Sequence, residues 1–179
     1  MRAVIVYESM YGNTRVIADA IGRGLGPDGE TLVVPVAQAR PELLEGVGLV
    51  VVGGPTHVHG LSRASTRRSA REAADKPASG LTMDPGAKGP GLRDWFEGLG
   101  RVDTAAAAFD TRLDAPAMFT GRASKAIARL LRRHGAAMAA EPESFLVTKA
   151  NRLRAGEEDR ALEWGRRLAG RAAGQVTIS

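Results

Sequence analysis

A single α/β domain, with a parallel sheet held between layers of helices, is the fold class this sequence predicts, and three observations predict it. Unbroken apolar, largely β-branched runs at Ala3-Val4-Ile5-Val6-Tyr7 and Val47–Val52 read as central strands covered on both faces. Helical segments separate the strands in the nearly alternating order β-α-β-β-α-α-β-α-β-α. Polar turns follow the first, third and fourth strands, and the carboxyl ends of strands are where parallel sheets hold ligands. A chain of 179 residues without an internal repeat has room for one substantial core, so residues 1–179 are read as one domain.

Each element follows from local pattern. After the first strand comes the turn Ser9-Met10-Tyr11-Gly12-Asn13-Thr14, then a helix with Val16, Ile17, Ala20, Ile21 and Leu25 on one stripe and Arg15, Asp19 and Arg23 elsewhere. Gly26-Pro27-Asp28-Gly29 is a turn, Thr31–Val36 a short strand and Pro41–Glu45 one turn of helix. The strand Val47–Val52 runs into the loop Gly53-Gly54-Pro55-Thr56-His57-Val58-His59-Gly60. Ser62–Lys76 is a polar helix with Ser62 at its N-cap and Ala64, Ala70, Ala73 and Ala74 as its apolar content. Residues 77–91, punctuated by Pro77, Gly80, Pro85, Gly86, Gly89, Pro90 and Gly91, form an irregular loop insertion, a surface loop or lid.

Leu92–Leu99 is a short helix with Trp95, Phe96 and Leu99 on one side. Alanine propensity would make Ala105–Phe109 a helix, but its length, the flanking Asp103 and Asp110 and its place between two helices make it a buried strand. Ser124–Arg133 is a helix with Ile127, Leu130 and Leu131 inward, and Ser144–Val147 is the last strand. The terminal helix, Glu157–Gly174, buries Leu162, Leu168 and Ala172.

Composition narrows the chemistry. With no cysteine, the chain has no disulfide, thiolate metal site, iron–sulfur cluster or cysteine nucleophile. Aromatic residues are only 4% of the chain, so the core is aliphatic. The formal charge is +5, and 21 of the 25 basic residues are arginine. The densest group, Arg63, Arg67, Arg68 and Arg71, has no interleaved aromatic to stack on a base, which argues against nucleic acid as a partner. The first strand begins within two residues of the start and no apolar run approaches a membrane span, so the expectation is a cytoplasmic protein without signal peptide or transmembrane helix.

The turn Ser9–Thr14 carries the most information. A short glycine-containing turn between a buried strand and a helix offers hydroxyls, an amide and unsatisfied backbone N–H groups to an anion, and a phosphate suits it. Its tail Gly12-Asn13-Thr14 resembles the phosphate loop of the flavodoxins. Gly53-Gly54-Pro55-Thr56 is similar to the loop after their third strand, which lies against the flavin ring in flavodoxins and related quinone reductases. Asp110-Thr111-Arg112 stands where the loop on the other side of the ring stands. The resemblance spans essentially the whole chain in element order.

What the resemblance implies is a flavodoxin-like three-layer α/β/α sandwich with a five-stranded parallel sheet in the order 2-1-3-4-5, binding FMN without a covalent bond. Ser9, Met10, Tyr11, Gly12, Asn13 and Thr14 would surround the phosphate. Pro55, Thr56, His57, Val58, His59 and Gly60 would flank the ring on one side, and Asp110, Thr111 and Arg112 on the other. The flavin does the chemistry in such proteins, so no side chain is assigned a catalytic role. Function is then electron transfer with a redox partner protein or a small oxidant. The alternatives are an FMN-dependent reductase of quinones or another small oxidant, and an interaction module without flavin.

The sequence departs from the family in lacking the usual ring-stacking aromatics, the third turn being followed by none before Phe119, and in being basic where flavodoxin carriers are acidic. His57 and His59 form no metal motif with Asp84 or Asp110, and no metal is assigned. A receiver domain would need several acidic residues after the first strand, where Glu8 stands alone, and an aspartate ending the third, where Gly53-Gly54 stands. A dinucleotide-binding unit would need spaced glycines that Gly12-Asn13-Thr14 lacks.

Overall fold

Strand β1 (Ala3–Tyr7) is buried at every position, as its continuous apolar sequence requires. The computed structural model describes residues 1–26, 30–57 and 60–176. Parallel partners flank β1: β2 (Thr31–Pro35) on one edge and β3 (Leu49–His57) on the other. A short β4 (Gly60–Leu61) folds back antiparallel on the end of β3. Beyond β3 lies β5 (Ala105–Leu113), and β5 is flanked by β6 (Ala137–Met138) and β7 (Glu143–Val147), both parallel to it.

The flavodoxin-like sandwich is as expected, but among the described residues the sheet has seven strands where five were expected. Its fifth position is shared. β6 pairs with Ala105 and Ala106, and β7 with Phe109 through Leu113. Ala139 N still donates to Ala106 O at 2.8 Å, and residues 140–142, between the two strands in sequence, interrupt the pairing, where Pro142 has no N–H to donate.

Two helices cover each face. Alternate residues Ile5, Val51, Ala107 and Phe109 pack under α1 (Asn13–Leu25) and α6 (Glu157–Val176), with Ile17, Ile21, Trp164 and Leu168 facing them. Val4, Val6, Val50, Val52 and Ala108 pack against Leu92, Trp95 and Phe96 of α3 (Leu92–Gly98) and Ile127 and Leu131 of α5 (Ala123–Arg133). The polar α2 (Ala64–Ala74) and the four-residue α4 (Ala117–Thr120) lie outside these layers. No helix among the described residues is long and apolar enough to cross a membrane.

Several boundaries differ from expectation. β3 runs on through Gly53 and Gly54 to His57, because those residues still pair with Phe109 and Asp110 of β5. Gly53 has to be glycine there: a Cβ would stand 2.1 Å from the Phe109 ring. For the same reason Asp110-Thr111-Arg112 is strand, not loop. α2 starts one residue later than a Ser62 cap would place it; Arg63 is its N-cap, and the Ser62 hydroxyl donates to Glu8 instead. Val36 lies in a 3-10 turn rather than in β2, and Pro41–Leu44 is also 3-10. Val16, Leu25, Leu130 and Leu162 are half-buried rather than fully inward. The turn expected at Gly26–Gly29 lies largely outside the described residues.

α1 and α6 cross with their backbones nearly touching. A Cβ on Gly24 would meet the Leu162 carbonyl oxygen at 2.0 Å, and one on Gly165 would meet that of Ile21 at 2.3 Å. Replacing Gly24 with alanine is therefore expected to lower stability by about 2 kcal/mol, although alanine is the better helix former by about 1 kcal/mol. Urea unfolding measures this; a G24A protein as stable as the parent would mean the helices separate freely.

Candidate functional site

At the carboxyl edge of the sheet, the ends of β1, β3, β5 and β7 surround a cleft of about 260 Å³. Its first wall is the turn between β1 and α1. Gly12 is the N-cap of α1 with φ of 95°, a left-handed conformation that favours glycine, and its N–H donates to Ser9 Oγ at 3.0 Å. The first α1 backbone hydrogen bond runs from Val16 N to Gly12 O. The N–H groups of Asn13, Thr14 and Arg15 accordingly find no backbone acceptor among the described residues.

Side chains of this turn are fixed by neighbours, not by capping. Thr14 is buried, and its hydroxyl pairs with that of Thr111 on β5 at 2.7 Å. Asn13 Nδ2 donates to both O and Oδ1 of Asn151, at 3.0 Å each. Tyr11 donates to the Ala70 carbonyl at 2.9 Å, and burial raises its pKa. The insertion 77–91 is docked on the same turn: Asp84 N donates to Met10 O at 2.7 Å, and the buried Asp84 carboxylate pairs with Arg15 Nε at 2.9 Å. Met10, Ala70 and Ala87 close a small apolar cluster beneath it.

Pro55, Thr56 and His57 supply the second wall. Thr56 Oγ1 accepts from Ala123 N at 2.9 Å, which ties the end of β3 to the start of α5. Nε2 of His57 is buried without a hydrogen-bond partner among the described residues. Desolvation by burial pulls the His57 pKa down, Glu8 opposes this and Arg67 adds to it, so the ring is neutral at neutral pH. Val58 and His59 lie outside the described residues, and Gly60 lines a neighbouring cleft instead.

The three residues expected on the far side of the ring separate. Thr111 and Arg112 line the cleft, and Asp110 does not. Strand alternation turns Asp110 to the α5 face, where it is fully buried and accepts from Ser124 N at 2.7 Å. Arg112 spends its Nη1 on the carbonyls of Leu113 and Ala115 and on the Thr120 hydroxyl. Phe119 is 68% exposed and is not part of the cleft.

Sequence reasoning missed a fourth contributor. Val147 at the end of β7 and Thr148, Lys149 and Asn151 after it complete the lining. A polar turn after an apolar strand is the signal used for the other three, and Thr148-Lys149-Ala150-Asn151 carries it. Asn151 takes φ of 56°, which asparagine tolerates better than most residues, and this aims its carbonyl and side chain at Asn13. Glu8 was also missed. It is buried at the end of β1, accepts from Ser62 Oγ and from Leu92 N, and lies close enough to influence His57.

Burial raises the Asp110 pKa, partly offset by the Ser124 N–H. A carboxyl whose pKa is raised on folding binds its proton more tightly in the folded state, so stability increases as pH falls from neutral through the folded pKa. Asp110→Asn, which keeps an acceptor for Ser124, is expected to be at least as stable at pH 7 and to lose that increase. Thermal unfolding across pH 4 to pH 7, about the range in which a raised carboxyl titrates, reads it; an unchanged pH profile would remove Asp110 as its source.

A profile for the family described as Flavodoxin matches residues 5–112. A flavodoxin from the domain Archaea shares the fold with a TM-score of 0.65 at 18% identity, over 97% of this chain and 99% of that one. Oxidised flavodoxin 1 from Bacillus cereus does so with a TM-score of 0.64 at 17% identity, over 95% and 98%. Rubredoxin oxygen:oxidoreductase from Desulfovibrio gigas matches with a TM-score of 0.63 at 18% identity, over 99% of this chain but 37% of that one. No curated protein matches the sequence.

Proposed function

The chain belongs to the flavodoxin family, and from that premise we propose that its cleft binds FMN non-covalently and that the protein carries electrons between a donor and an acceptor. The observation that carries this reading is the turn Ser9–Thr14: N–H groups without acceptors at a helix N-terminus, beside two hydroxyls held 2.7 Å apart on different elements. An ordinary cap would spend the Asn13 or Thr14 side chain on its own helix. Here neither does so.

In this reading the N–H groups of Asn13, Thr14 and Arg15 and the hydroxyls of Ser9 and Thr14 hold the terminal phosphate. Thr56, Thr111 and Thr148 give polar contacts to the ribityl chain, and Pro55, His57, Leu113 and Val147 wall the ring. Bound FMN supplies the one- and two-electron chemistry. The protein's own part is to orient it, exclude water along the aliphatic walls and keep His57 uncharged beside it. The partner is a redox protein or a small oxidant.

The direct test is titration of flavin-stripped protein with FMN, riboflavin and FAD, followed by flavin fluorescence. Thr14→Ala is expected to weaken FMN about tenfold, the worth of one hydrogen bond to a charged acceptor, while leaving riboflavin nearly unchanged. Equal loss for both flavins would detach the phosphate from this turn. Absence of FMN binding by the parent protein would favour an interaction module without flavin.

A further inference from the structure

A second cleft, of about 420 Å³, adjoins the first across His57. Arg63, Arg93, Arg122 and Arg129 line it, together with the first-turn residues Ser65 and Thr66 of α2. These guanidinium groups come from separate parts of the chain, and no carboxylate is among the lining residues. None of the four makes an ion pair among the described residues.

Two of the four are fixed in place by neutral groups. Arg93 donates from Nε to Ser62 O at 3.0 Å and from Nη2 to Leu61 O at 3.3 Å. Arg122 donates from Nε to Ser144 Oγ at 3.0 Å and from Nη2 to Pro142 O. Carbonyls and a hydroxyl orient these side chains without an ion pair, Arg122 acting on the buried Asp110 only at a distance, and each Nη1 is left without a partner among the described residues. The other two, Arg63 and Arg129, are exposed and make no side-chain hydrogen bond among the described residues. Like charges converging on a concavity repel unless an anion joins them, and a rigid guanidinium fork fits phosphate oxygens two at a time. The amino end of α2 adds its positive partial charge to the same space.

We propose that this cleft is a binding site for a small phosphate-bearing molecule, held by Arg63, Arg93, Arg122 and Arg129 next to the FMN site. The concave shape and a volume within the range of small-ligand pockets favour such a molecule over the flat contact of a protein partner. Binding there does not require FMN, since the two clefts share only His57.

Isothermal titration of the purified protein with inorganic pyrophosphate and with ADP, before and after loading with FMN, tests the proposal. Saturable binding is expected in both forms, weakened at least tenfold by the double variant R63E/R129E and severalfold by Arg129→Ala alone, and falling with added salt. Both positions are exposed, and far-UV circular dichroism checks that the variants fold. Arg40→Ala serves as the contrast: Arg40 is exposed and lines neither cleft, and its loss is expected to leave pyrophosphate binding intact. No saturable binding, or binding untouched by R63E/R129E, overturns the proposal. Retention of poly-glutamate without pyrophosphate binding also overturns it and gives the surface to an acidic protein. Pyrophosphate binding without FMN binding would instead remove the flavin reading and leave this site standing.

Discussion

Strand β1 has no face and no edge in water, and the rest of the molecule follows from satisfying it. Its backbone groups can be paired only by strands on both sides, and β2 and β3 lie parallel to it there. Parallel neighbours need crossover connections, which become the helices that bury the two faces. The register then runs as one row across the sheet, Tyr7 beside Gly53, Gly53 beside Phe109 and Phe109 beside Glu143. Every residue that lines the cleft lies beyond one of these positions, at the end of the strand or just after it. The site is thus the common overhang of four aligned strands, and its contacts tie those strands to one another at their ends.

That row also explains what could be read from the amino-acid sequence and what could not. Central strands were legible because burial on both faces leaves an unbroken apolar run, and the first turn was legible because a left-handed Gly12 and short polar residues leave a distinctive string. The ends of β3 and β5 were not. Gly53-Gly54 and Asp110-Thr111 have the composition of loops, yet backbone pairing does not depend on side-chain character. What keeps the glycines in the sheet is the Phe109 ring lying against Gly53, a contact between residues far apart in sequence. Asp110 was placed beside the ring for the same reason. Once it is in a strand, alternation sends it to the opposite face from Thr111. The turn after β7 carried the same polar signal as the others, but its part in the cleft shows only when Asn151 meets Asn13.

Glu8 illustrates how the end of β1 is held without exposing it. Its carboxylate receives the Ser62 hydroxyl and the Leu92 N–H, and Arg67 reaches from α2 to Ser62 and to Asp94 on α3. A buried carboxylate with its hydrogen bonds satisfied costs far less than an isolated one, and removing a single partner would leave charge stranded. The network joins β1, the start of α2 and the start of α3, and the last two carry Arg63 and Arg93 to the second cleft. His57 lies within its electrostatic reach and is kept neutral chiefly by burial.

The two clefts meet at His57 but present donors of different physics. At the turn of the first, the donors are backbone N–H groups and hydroxyls, dipoles fixed by the fold whose attraction falls off within about one helical turn. In the second, the donors are whole charges on partly solvated guanidinium groups, whose attraction reaches about a Debye length and weakens as salt shortens it. Charge is present at the first cleft too: Lys149 and Arg112 line it, and carbonyls and a hydroxyl hold Arg112 Nη1 without cancelling its charge. The four arginines of the second cleft nonetheless gather more positive charge there than lies at the turn that the phosphate of FMN would occupy. A cofactor meant to stay bound is suited to neutral, buried donors, whereas a ligand meant to arrive quickly and leave is suited to exposed charge. Part of the surplus of arginine read from composition acquires a location in this way, on the flank of the site.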